Sequence, residues 1–97
     1  KRGDIKIKKI AVITGAAKGI GRAISIKFAN EGFKVILVDI NSFDGRAVAD
    51  NLLGQGFDAH FYDCDLSTEQ SMDKLIENIK LNHKYVSVLV NAAGITV

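Results

Sequence analysis

The chain has 97 residues, a formal net charge of +2, no proline and one cysteine, Cys64. This is the composition of one small globular domain, long enough to close a single core. It leaves out an internal disulfide, a low-complexity tract, and a bilayer-spanning helix, for which no apolar run is long enough. Residues 1–9 hold five Lys/Arg and one Asp, against eight basic and ten acidic residues in the remainder. The positive charge therefore reads as a solvated lead-in to a strand rather than as a nucleic-acid surface. The first residues lack the apolar core of a secretory signal, and with a single thiol the expected setting is reducing and cytoplasmic.

In chain order, "KIAVITG" is a short apolar run without alternation, which predicts a strand covered on both faces. The next segment places Ile20, Ala23, Ile24 and Phe28 on one helical stripe that Ile26 does not join, and Gly32 suits the position just past a helix end. "FKVILVDI" is a second buried strand, with Asp39 at its close. "NSFDGRAVADNLLGQG" reads as a helix with Phe43, Ala47, Val48 and Leu52 inward, weakened by Gly45 and Gly54. "FDAHFYDCDL" alternates more, as a strand nearer an edge does. "STEQSMDKLIENIKLNHK" opens on Ser67 with Gln70 three residues on, a capping box, and carries Met72, Leu75, Ile76 and Ile79 as its apolar stripe. "VSVLVNAAGI" is a fourth strand.

This β-α-β-α-β-α-β order predicts an α/β fold, the N-terminal half of a Rossmann-type doubly wound parallel sheet with right-handed crossovers. Ligands of such sheets sit beyond the carboxyl ends of the strands. "TGAAKGIG" lies at the end of the first strand. Gly15 can take the positive φ of a tight exit. Gly19 and Gly21 let a phosphate approach the backbone and let the helix pack close, while the helix N-terminus offers free N–H groups and a positive dipole end. The spacing is not a P-loop, because three residues rather than four separate Gly15 from Gly19 and Arg22 follows Gly21. Nor is it G-x-G-x-x-G; it is G-x-x-x-G-x-G, which can do the same physical work.

Asp39 lies eighteen residues past Gly21. A carboxylate there can accept from both hydroxyls of an adenosine ribose. It would also repel a 2′-phosphate by roughly 1–4 kcal/mol at contact distance.

"TGAAKGIG", Asp39 after "VILV", "CDLS" and "LVNAAGI", in this order and spacing, resemble the short-chain dehydrogenase/reductase family from about Lys8 to Ile95. The resemblance covers only the first part of the family's usual sequence. It implies that Thr14, Gly15, Gly19, Ile20 and Gly21 form the cofactor turn, with the Ile20 backbone facing the pyrophosphate. It implies a ribose-binding role for Asp39 and an adenine-binding role for Asp65 and Leu66. Asn91, Ala93 and Gly94 match the Asn-Asn-Ala-Gly segment that lines the cofactor's ribose, and Ala92 departs from it by replacing the second Asn. Lys18 matches a position where NADP-using members often carry a base. It pulls against Asp39, and the balance of a close carboxylate against a flexible ammonium favours NAD over NADP.

The family's catalytic Tyr-x-x-x-Lys, Ser and further Asn would all lie downstream. Tyr62 is followed four residues on by Leu66 and Tyr85 by Leu89, so neither is that motif. His60 and His83 read as ordinary surface or edge histidines, Cys64 as a small buried hydrophobe, and no metal-ligand spacing is present. The expectation is that residues 1–97 are the N-terminal part of one NAD(P)-binding domain, with no catalytic residue of their own and a fourth strand left with an unpaired side.

The resemblance implies hydride transfer between nicotinamide and a carbonyl or alcohol carbon of a small molecule. Its style is closest to 3-oxoacyl thioester reductases and to sugar or polyol dehydrogenases. It implies a homo-oligomeric parent with no nucleic-acid or membrane partner. Two alternatives stand beside it. One is a dinucleotide-binding or sensing module without turnover. The other is an S-adenosylmethionine-binding methyltransferase, whose glycine spacing differs and which has no place for "NAAG".

Overall fold

Four strands lie parallel in the order β3-β2-β1-β4, joined by three helices. The computed structural model describes residues 8–83 and 85–92. The elements are β1 (Ile10–Thr14), α1 (Gly19–Asn30), β2 (Lys34–Asp39), α2 (Ser42–Gly54), β3 (Ala59–Asp63), α3 (Glu69–Asn82) and β4 (Val88–Asn91). This is the Rossmann-type half-sheet expected of the element order.

The two central strands explain the lack of alternation in their sequences. In β1 and β2, Ala11, Ile13, Val35 and Leu37 point to the face covered by α1 and α2. Ile10, Val12, Ile36 and Val38 point to the face covered by α3. Each buried aliphatic side chain contributes about 1.5–3 kcal/mol by leaving water, and successive residues face opposite ways. A strand buried on both sides therefore has to be apolar throughout.

The helix faces differ from the simple hydrophobic stripes. In α1 the buried line is Gly21, Ser25 and Ala29. Ala23 and Ile20 are exposed instead. Ile24 and Phe28 are half-buried, and so is Ile26, which joins the core after all. The reason is distance: a helix that starts at the glycine turn lies close to the sheet, and only small residues fit along the contact line. A side chain at Gly21 would overlap the Gly15 carbonyl. Ser25 remains satisfied there because its hydroxyl donates to the Gly21 carbonyl at 2.8 Å. Gly32 closes α1 with φ of 93°, as its place past the helix end requires.

In α2, Gly45, Val48, Ala49 and Leu52 are buried, whereas Ala47 is exposed and Phe43 is 84% exposed. Gly45, read as a weak point, is what lets the helix cross β3: a Cβ there would overlap the Phe61 ring. Arg46 then covers that ring, its guanidinium carbon 5.5 Å from the centroid.

The cap of α3 is Thr68 rather than Ser67. The Thr68 hydroxyl accepts the Ser71 N–H at 3.2 Å. Ser67 is instead held by the Asp65 carboxylate, which accepts its N–H at 2.9 Å. Leu75 and Ile79 are buried, but Met72 and Ile76 are not. They border a groove of about 620 Å³ between α3 and β4, with Val12 and Leu89 across from them.

The β1–β4 ladder extends past β4 at both ends. Ser87 N–H bonds the Ile10 carbonyl at 2.8 Å, and Ala92 N–H bonds the Thr14 carbonyl at 3.2 Å. Ala93, Gly94 and Ile95, the rest of the expected fourth strand, lie outside the described residues.

Candidate functional site

The strand register sets the site. Thr14 stands opposite Val38 on one side and Asn91 on the other, and Asp39 stands opposite Asp63. The chain's candidate residues thus leave the sheet at one level, at its carboxyl edge.

The turn after β1 is built from its backbone. Gly15 has φ of 68° and Gly19 of 63°, both in the left-handed region that a side chain disfavours. Between them Ala16 and Ala17 are buried. Ala16 N–H donates to the Val38 carbonyl at 3.2 Å. Ala17 N–H donates to Asp39 Oδ2 at 2.9 Å. Lys18 is exposed, extended and occupies the cap of α1 without capping it through its side chain. Gly19, Ile20 and Gly21 supply the N–H groups that precede the first helical bond, which Arg22 N–H makes to the Lys18 carbonyl. No acid lies in that first turn. The two later glycines do different things: Gly21 gives the helix its close approach, and Gly19 gives the positive φ. A Cβ on Gly19 would meet nothing within 4 Å, so the space in front of it is open. Free N–H groups, a positive dipole end and open space suit an anionic phosphate.

Asp39 is half-buried, and its other oxygen, Oδ1, accepts Asn41 N–H at 2.8 Å. Asn41 in turn caps α2, accepting Asp44 N–H at 3.0 Å. Its Nδ2 donates to Asp44 Oδ2 at 2.8 Å. Neither Asn41 nor the Ala17 backbone was among the expected site residues. The first could have been found from the N-x-x-D spacing, a relative of the capping box; the second has no signal along the sequence.

On the next strand, Cys64 N–H bonds the Asp39 carbonyl at 3.1 Å and carries the ladder one step past β3. Asp65 follows, exposed, and Leu66, half-buried. Hydrogen bonds from Ser67 hold the Asp65 carboxyl below its ordinary range, so it is ionised at neutral pH. Cys64 is buried, and its thiol is pushed up first by burial and then by the charges of Asp65 and Asp63. That keeps it a protonated, inert side chain, packed with Val38 and Leu75.

On the far side of β1, Thr14 Oγ1 donates to Asn91 Oδ1 at 2.8 Å. This leaves the Asn91 amide nitrogen as a donor with no partner among the described residues. Leu66, Thr14 and Asn91 also form the upper end of the α3–β4 groove. Ala92 is buried.

His83 is a correction to the expected surface position. It is only 6% exposed. Its Nδ1 lies 3.5 Å from Lys34 Nζ and its Nε2 3.2 Å from Tyr62 Oη. The exposed His60 pairs with Asp58 at 3.2 Å. Lys34 opens β2, so this cluster sits toward the amino ends of the strands, away from the glycine turn. Among the described residues no group of three metal-ligating side chains converges, and no helix is long and apolar enough to cross a membrane.

A parallel half-sheet with this turn and these acids defines a dinucleotide-binding type of protein, and sequence comparison gives the family. The model for "short chain dehydrogenase" matches residues 9–97. The chain belongs to the short-chain dehydrogenase/reductase family. It is 37% identical over 95 residues to the 3-oxoacyl-[acyl-carrier-protein] reductase FabG of Aquifex aeolicus (strain VF5), covering 96% of this chain and 38% of the relative. Among solved structures, a metagenomic short-chain oxidoreductase in complex with NADP superposes with a TM-score of 0.80 at 32% identity, over 84% of this chain and 37% of that one. A short-chain dehydrogenase/reductase from Burkholderia phymatum in complex with NAD gives 0.81 at 30% identity, over 84% and 29%. The chain thus spans about a third of the length of the relatives it matches.

Proposed function

We propose that the complete protein is an NAD(P)-dependent oxidoreductase acting between a carbonyl and an alcohol carbon of a small molecule, and that residues 1–97 are the first part of its single dinucleotide-binding domain. The observation that carries this is the convergence at one sheet edge of the Gly15–Gly21 turn, Asp39, Asp65 with Leu66, and Asn91. In this reading the N–H groups of Gly19, Ile20 and Gly21 hold the pyrophosphate. Asp39 accepts from the adenosine ribose. Asp65 takes the adenine amino group and the Leu66 N–H a ring nitrogen. Thr14 fixes Asn91 beside the second ribose, with Ala93 and Gly94 following it in the chain. The nicotinamide supplies or receives the hydride when bound; these residues bind and orient it.

NAD is the favoured cofactor, because Asp39 stands at the end of β2 whereas Lys18 is exposed on the rim. The relatives in complexes with NAD and with NADP support a nicotinamide dinucleotide of either kind. The similarity to a 3-oxoacyl-[acyl-carrier-protein] reductase favours an acyl-thioester or related carbonyl substrate. A cytoplasmic setting fits the single free, buried Cys64, and the lack of a nucleic-acid partner fits the net-acidic body of the chain; the homo-oligomer rests on the family resemblance.

Titration of the complete protein with NADH and NADPH, followed by nicotinamide fluorescence, tests this. Tighter binding of NADH is expected. Tighter binding of NADPH would overturn the preference, and binding of neither would overturn the function.

A further inference from the structure

The glycine turn and the end of β2 are 22 residues apart in sequence and are fastened together by two consecutive N–H groups. Ala16 N–H uses the Val38 carbonyl, a bond that any residue at position 38 would make. Ala17 N–H uses a side chain, the Asp39 carboxylate. Ala17 is 3% exposed, so water does not readily replace that acceptor. A buried N–H left without a partner bears its full desolvation cost.

Resting on the dinucleotide reading above, we propose that Asp39 is also a positioning residue for the phosphate-binding turn, acting through the Ala17 N–H. The next residues are Lys18, extended at the helix cap, and Gly19 at φ of 63°. The direction of the Ala17 peptide therefore sets where the N–H groups of Gly19, Ile20 and Gly21 point. The second oxygen is occupied as well, by Asn41 N–H at 2.8 Å, so the carboxylate is held from both sides. Each carboxylate oxygen accepts two bonds. One direction on each oxygen thus remains for ribose hydroxyls while the clamp is closed. One side chain serves the ribose directly and the pyrophosphate through the turn.

The consequence is a limit on cofactor switching. Removing the acid relieves repulsion of a 2′-phosphate but loosens the turn that holds the pyrophosphate. NADPH gains less than the loss of repulsion alone would give.

The test uses the complete protein, its Asp39→Asn and Asp39→Ala variants, and reduced nicotinamide mononucleotide, which carries a phosphate and no adenosine. Positioning predicts that Asp39→Ala binds the mononucleotide about tenfold more weakly, the scale of one hydrogen bond to a charged group, and that Asp39→Asn, with one amide oxygen left for the Ala17 and Asn41 N–H groups, loses less. It also predicts faster exchange of the Ala17 amide than of the Ala16 amide in the unliganded Asp39→Ala variant. Unchanged mononucleotide binding together with an unchanged Ala17 amide, alongside weakened NADH, would overturn the proposal and leave Asp39 a ribose ligand alone. Failure of the unmodified protein to bind either dinucleotide would overturn the functional reading instead; the Ala17 amide would still decide the clamp. Asp39→Val, which also lacks an acceptor and suits a strand end, keeps the test valid if the alanine variant does not fold.

Discussion

Thr14 and Asn91 face each other across the β1–β4 pair, and the threonine hydroxyl donates to the asparagine Oδ1 at 2.8 Å. Thr14 is 7% exposed, so its hydroxyl has little access to water. Replacing it by valine keeps the shape and removes the donor. Thr14→Val should destabilise the protein by about 1 kcal/mol, the net worth of one neutral hydrogen bond, read as a lower urea midpoint with unchanged m. It should also weaken NADH binding several-fold, because the Asn91 amide loses its fixed orientation. Unchanged affinity would separate Asn91 from the cofactor.

The two later glycines of the turn predict different losses. A methyl at Gly21 overlaps the Gly15 carbonyl, a backbone atom that cannot move without shifting the turn. Gly21→Ala should cost about 2–3 kcal/mol, in the range of overpacked cores. A methyl at Gly19 meets open space and carries only the strain of φ at 63°. Gly19→Ala should cost about 1–2 kcal/mol yet weaken phosphate binding, since the methyl stands where the anion would approach. Melting curves should place Gly21→Ala below Gly19→Ala, while NADH titrations should show weakened binding in both, through a shifted turn in the first and a blocked approach in the second.

Gly45 and Phe61 make a coupled pair. Gly45→Ala should destabilise by about 2 kcal/mol because the new Cβ runs into the Phe61 ring. In a Phe61→Leu background the same substitution should cost much less, and the difference is the coupling energy of a double-mutant cycle. Equal costs in both backgrounds would mean that α2 does not rest on that ring.

Acid should loosen the clasp around His83. Lys34 Nζ is a donor only, so Nδ1 accepts and the neutral ring carries its proton on Nε2, toward Tyr62. Burial, then the charges of Lys34 and His60, lower its pKa below the ordinary 6.5, with Asp58 opposing. The folded chain thus takes up this proton less readily than the unfolded chain. The stabilisation is present in full above pH 6.5 and is lost as pH falls through the lowered folded value. Among the described residues, the groups facing the ring are Lys34 from β2, Tyr62 and His60 from β3, and Asp58 just before β3. Melting temperature should fall below pH 6.5, and His83→Gln should flatten that fall. An unchanged slope in the variant would place the acid sensitivity elsewhere.

How much of this could be read along the chain depends on the range of the interaction. Element order, the glycine turn and the place of Asp39 were legible because they rest on local pattern: unbroken apolar runs, a helix period, and glycine where positive φ is needed. The inner faces of α1 and α2 were not, since hydrophobicity favours Ala23 and Phe43 while close packing selects Gly21, Ser25 and Gly45. The α3 cap moved one residue because two hydroxyl residues stand side by side and Asp65 holds the first. The burial of His83 and the bond from Ala17 to Asp39 depend on segments 49 and 22 residues apart, respectively. No local pattern announces such contacts.

The most direct test of the dinucleotide site is amide chemical-shift mapping of the complete protein with ADP-ribose. The account predicts shifts concentrated at Gly19, Ile20 and Gly21, at Asp39, and at Asp65 and Leu66, with the His83 cluster unmoved. Absence of binding, or shifts confined to the groove between α3 and β4, would contradict it.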